Sequence, residues 1–189
     1  MTTPIQLFRI AMLALVLTPV AIAGDLHDWE IKEWAENVIA SVHGKITRGE
    51  MQTFVFFKKD CTRVEHLFDV YTHQPNDFTK LKGKVIVLEF NGDKIGGIVR
   101  SATKPAMLPG HLLMITFGSY DKDLLLRHLQ ERNHISIKLV DGNGIIASEY
   151  FDVLENKWST EGIEEAFSKS YDICMRSAPV GNLVHAAVH

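Results

Sequence analysis

The sequence predicts an α+β domain: a mostly antiparallel sheet of about seven strands with an N-terminal helix, one internal helix and a C-terminal helix. Three observations predict it. Apolar residues at helical spacing stand near both ends of the chain, at 31–42 and 163–174. Strand-like apolar runs fill the middle, and two turn signals, Asn91-Gly92 and Asp141–Gly144, mark hairpins. Strands and helices do not alternate regularly, as a parallel sheet would require.

The chain of 189 residues, 46% of them hydrophobic, suffices for one domain with a sizeable core. It opens with MTTPIQLFRIAMLALVLTPVAIA, residues 1–23. One base (Arg9), an apolar run and Ala21-Ile22-Ala23 have the layout of a secretory signal peptide with a small-x-small cleavage site. The apolar run is short against the roughly 20 residues of a membrane span. The expected division is a leader at 1–23, one α+β domain at 24–178 and a frayed tail at 179–189. The mature protein is then periplasmic or secreted, with no membrane span after cleavage.

The elements follow in order. Ile31, Trp34, Ala35, Val38, Ile39 and Val42 fall on one helical stripe, with Gly44 as its stop. Trp29 lies off that stripe. Residues 51–57, MQTFVFF, read as a strand. In VEHLFDVYT, Val64, His66, Phe68 and Val70 share one face of a second strand. KVIVLEF and KIGGIVR flank Asn91-Gly92 as a hairpin, and 112–117 form another buried strand. Residues 119–133 read as a helix with its acids first and its bases last. HISIKLV alternates, and the 141–144 turn leads back into IIASEYFDV. Ile163, Ala166, Phe167, Ser170, Tyr171 and Cys174 form the stripe of the last helix. A helix leading into an antiparallel meander resembles the start of cystatin-like folds, in architecture only.

The two cysteines, Cys61 and Cys174, form an even count in a chain that reads as exported, so a disulfide pinning the last helix to the sheet is expected. The alternative is two unpaired buried thiols. The net charge of −3 argues against a nucleic-acid partner, which needs a basic face. Catalytic motifs are missing: the chain contains no HExxH, no GxSxG and no phosphate-binding loop. Ser101-Ala102-Thr103-Lys104 matches S-x-x-K, but Pro105 disfavours a helical Lys104.

Histidines carry the remaining chemistry. His66, on an apolar strand face, reads as a neutral core imidazole rather than a base. Met107, His111 and Met114 offer thioether and imidazole ligands that suit copper. His27 offers a second copper site if cleavage leaves it third from a free amine. Cleavage after Ala23 instead leaves it fourth, without that chelate. Trp29 and Trp158 are candidate anchors for a partner; the alternative is that each covers an edge of the core.

The leading expectation is therefore an exported, non-enzymatic domain that binds another macromolecule of the envelope or exterior, as an inhibitor, an immunity-type protector or an accessory protein. The alternatives are a periplasmic copper-binding protein and a small hydrolase. The hydrolase requires a cleft holding His66, His73 or His111 beside a serine or an acid.

Overall fold

A computed structural model describes residues 28–47, 49–106 and 109–178. The leader, the tail, His27 and Met107 lie outside the described residues. The fold is a single antiparallel sheet of nine strands with three short helices, nearly all-sheet rather than α+β. In chain order it comprises β1 (Trp29–Glu33), β2 (Asn37–His43), β3 (Met51–Phe57), β4 (Asp60–Thr72), β5 (Val85–Phe90), β6 (Asp93–Thr103) and β7 (His111–Asp121). Then follow α1 (Lys122–Gln130), β8 (His134–Leu139), α2 (Ala147–Tyr150), β9 (Glu155–Ser159) and α3 (Ile163–Ser177). The order across the sheet is β1-β2-β3-β4-β7-β6-β5-β8-β9.

The expected N-terminal helix is instead the β1–β2 hairpin, closed where Trp34 N–H donates to Asn37 O at 2.8 Å. The helical stripe was a coincidence of two strands. Within β2 the true period is two, with Val38, Ala40 and Val42 all buried on one face. Isoleucine and valine at 31, 38, 39 and 42 suit a pleated surface better than a helix. The tryptophans reverse as well: Trp29 is 4% exposed and Trp34, expected inside, is 60% exposed. The likeness to a cystatin-like opening goes with that helix. Residues 145–153 also differ from expectation, because α2 stands in the middle of the expected strand and β8 pairs instead with β5 on one side and β9 on the other.

Other elements match their sequence signals. Asn91 takes φ 52° and Gly92 φ 95° in the tight turn between β5 and β6. Asp121 caps α1, its side chain accepting from the N–H groups of Asp123 and Leu124. In α3 the buried residues are Ile163, Ala166, Phe167, Ser170 and Cys174, five of the six on the expected stripe. Cys174 is bonded to Cys61 at the start of β4, with Cα atoms 5.9 Å apart.

The sheet curls over on itself. Phe68 on β4 and Trp158 on β9 are five strand spacings apart, about 24 Å on a flat sheet. Their ring centroids are 5.5 Å apart. The two edge regions meet: Lys45 N–H donates to Lys157 O at 2.8 Å, and the Trp29 indole donates to Glu161 O at 2.8 Å. Asn156 locks this seam by accepting from Ile46 N–H and donating to Thr47 O and to the Glu50 carboxylate. Helix α3 packs on the inner face of β1–β4, where Phe167 meets Phe54 and Phe56 edge-on. Helix α1 lies over β4 and β7 and leaves part of the inner face uncovered.

Candidate functional site

The uncovered part is a pocket of about 280 Å³ with His66 at its floor. Its position follows from a bulge in β7. His66 pairs with Gly118 and Leu67 pairs with Thr116, so Phe117 is an extra residue opposite β4. Gly118 takes φ 105°, a conformation few side chains tolerate. The bulge brings the Phe117 ring to 4.7 Å from the His66 ring.

The imidazole of His66 is 3% exposed. It stacks on Phe54 at 4.6 Å and meets the edge of Phe90 at 5.8 Å. Its Nε2 lies 2.5 Å from Oε1 of the buried Gln52, whose amide nitrogen has no partner among the described residues. The orientation of the Gln52 amide sets which ring nitrogen carries the proton: an Oε1 facing Nε2 accepts from it, an amide nitrogen there donates to it. Burial, with the facing His128 imidazole second, lowers the His66 pKa to about 3. His66 is neutral across the physiological range and far from the poise of a general base.

Around this floor stand Phe90 and Ile95 of the β5–β6 hairpin and Phe117 and Tyr120 of β7. Leu124, Leu125 and His128 of α1 close the other side. Among the described residues the lining contains no lysine, arginine, carboxylate, serine or cysteine. Leu124 is 59% exposed and Tyr120 41%, so the mouth is apolar too. The Tyr120 hydroxyl is engaged by Phe117 O, and its ring is left to face the pocket.

The residues singled out from the sequence lie elsewhere. Trp29 and Trp158 are both buried, Trp29 against Phe54 and Trp158 against Phe68. His111 packs on Phe78 at 4.6 Å. Met114 is three residues along the same strand, so alternation sends it to the other face, where it pairs with Asp69 and Ser101. Among the described residues no group of three or more His, Cys, Asp or Glu is arranged to hold a metal ion. Ser101 and Thr103 belong to strand β6, so no helical turn joins Ser101 to Lys104.

The three candidate hydrolase histidines occupy three places. His66 has no acid or serine in its pocket. His73 pairs with Asp152 at 3.5 Å with its side chain 62% exposed, and the neighbouring Thr72 hydroxyl donates to Tyr150 O. His111 is packed on Phe78. The pocket residues other than His66 were missed in the sequence. A signal for them existed in Phe117-Gly118, a glycine inside a strand pattern that marks a bulge. The exposed Leu124 next to the buried Leu125 was a second.

Compared with protein-family models, with curated proteins and with solved structures, the chain has no significant match to any.

Proposed function

We propose that the protein is an exported, non-enzymatic binding domain, and that its aromatic pocket receives an apolar side chain of another macromolecule of the envelope or exterior. One observation carries the reading. Among the described residues its lining offers ring faces and methyl groups but no serine, cysteine, lysine or carboxylate. A cleft of that kind supports binding by apolar burial; its one solvent-facing imidazole, His128, stands 3.6 Å from Glu131 with no serine, cysteine or lysine beside it in the lining. The Cys61–Cys174 bond supports an oxidising compartment. The leader-like start at 1–23 supports export. Among the described residues no helix is long and apolar enough to cross a membrane.

The test is expression of the full chain in a bacterial host, with fractionation and intact mass. The expected product is exported, starts at Gly24 and carries the disulfide. The partner retained by the native protein should be lost by Leu124→Glu, which puts a charge at the pocket mouth without touching the core. Turnover of an ester or cell-wall substrate, abolished by His66→Ala in a folded variant, would overturn the proposal. The copper reading retains His27 at a processed terminus, and one equivalent of copper(II) in the same mass measurement decides it.

A further inference from the structure

The curled sheet has two edge strands, and they end differently. The outer edge of β9 is taken, because Lys157 O accepts from Lys45 N–H at 2.8 Å. Strand β1 pairs with β2 alone. The hydrogen-bond pattern fixes which of its backbone groups are used. Trp34 N–H donates to Asn37 O, so those two residues form a hydrogen-bonded pair. Alternation makes Lys32–Ile39 and Glu30–Ser41 the next such pairs. The N–H and C=O groups of Trp29, Ile31 and Glu33 therefore point away from β2. Among the described residues no backbone group pairs with them. Such an edge is a template for a further strand.

The side chains select which strand. β1 reads WEIKE, and turned end for end about Ile31 its charges complement themselves. An antiparallel copy set with Ile31 opposite the partner's Ile31 forms a hydrogen-bonded pair there, because Ile31 is an outward residue. The same register sets Glu30 opposite the partner's Lys32, and Lys32 opposite the partner's Glu30. These are non-hydrogen-bonded pairs, in which side chains approach most closely and opposite charges attract. Both side chains reach solvent, Glu30 at 47% and Lys32 at 60% exposed. Trp34, also 60% exposed, stands at the end of the same edge, where a second strand covers it. We infer that β1 is a homodimer interface: two copies join edge to edge about a two-fold axis at Ile31, and the sheet continues from one into the other. A contact of this kind is closed and uses up the edge, whereas the covered β9 offers no place for a head-to-tail contact. No pocket residue lies on β1, so the interface is independent of the pocket.

The test is sedimentation equilibrium of the full oxidised chain. Five residues make a small interface at the weak end of the range, so association is followed up to about 1 mM. Trp29 and Trp158 are buried, so acrylamide quenching of tryptophan fluorescence reports Trp34. The expected result is a reversible dimer in which that quenching falls as concentration rises. Lys32→Glu and Glu30→Lys each set like charges opposite one another across the two-fold axis. Each should weaken the dimer about tenfold or more, with an unchanged far-UV spectrum because both positions are exposed. Mixed one to one, the two variants should pair with each other about as tightly as native chains, because every facing pair is again opposite in charge.

A native chain that stays monomeric at about 1 mM would overturn the inference and leave the edge to a strand of another protein. A native dimer that both variants leave unchanged puts the contact elsewhere and overturns it too. A mixture no tighter than either variant alone removes the two-fold register, and the inference with it. Association that runs on beyond a dimer means a head-to-tail contact and overturns it as well. Leu124→Glu, at the pocket mouth, should leave the dimer intact; loss of the dimer in that variant would overturn its assignment to β1.

Discussion

Three buried ionisable residues set the pH response, and they pull in opposite directions. Burial raises the Glu50 carboxyl to about 7 from 4.5, against the opposing hydrogen bond from Asn156. Burial likewise raises Asp69 to about 6 from 3.8, against its bond from Thr53. A raised pKa in the folded state means that the stabilising contribution is full below the unfolded value and is lost as pH rises through the folded one. For Glu50 the loss runs from about pH 4.5 to about 7. His66 has the opposite sign: its lowered pKa makes stability fall as pH drops from 6.5 towards 3. Stability is therefore expected to peak in mildly acidic solution. Urea denaturation of Glu50→Gln should show a smaller loss between pH 5.5 and 8, with a gain of about 2 kcal/mol at the higher pH. An unchanged pH profile in the variant would remove Glu50 from this account.

Elements are held in register by close contacts at a few positions. Gly97 on β6 faces inward, and a Cβ there would stand 2.5 Å from Ile115 Cγ2 and 2.9 Å from Leu88 Cδ1. Gly97→Ala should cost about 1–3 kcal/mol by overpacking, measured as a lower urea midpoint. The seam between the β2–β3 connection and β9 depends on Asn156, which is 1% exposed. Asn156→Ala removes its bonds to Ile46 N–H, Thr47 O and Glu50 and leaves the Glu50 carboxyl buried without a donor. The expected loss is about 3 kcal/mol, and hydrogen exchange should quicken first at residues 44–47 and 155–158. Exchange that quickens uniformly over the sheet would mean that the seam has no separate identity.

At the scale of the molecule, α3 and the disulfide keep the curled sheet filled. The bond joins residues 113 positions apart, so it removes much freedom from the unfolded chain. Cys61→Ser with Cys174→Ser should destabilise by about 2–5 kcal/mol, read as a fall in the thermal midpoint that reductant reproduces in the native protein. Loosening of α3 should bare the inner face of β1–β4, where Phe54, Phe56 and Phe167 meet. Because Phe54 also stacks on His66, the pocket floor should lose order with it, seen as broadening of the His66 imidazole resonances.

The sequence by itself determined the features that depend on near neighbours. The inward face of β4 and the stripe of α3 follow from side-chain period, and the Asn91-Gly92 turn follows from the positive φ it needs. The cysteine pair was legible from its even count in an exported-looking chain. Residues 29–43 were not, because two short strands joined by a three-residue turn can mimic helical spacing, and only pairing with β3 selects between them. The pocket was beyond reach for a related reason. His66, Phe90, Phe117 and Leu124 come from three strands and a helix, and they meet only because β7 bulges at Phe117 and the sheet curls. Period records which side of an element a residue faces; what stands opposite that side is decided by long-range pairing and curvature, and so by the tertiary structure alone.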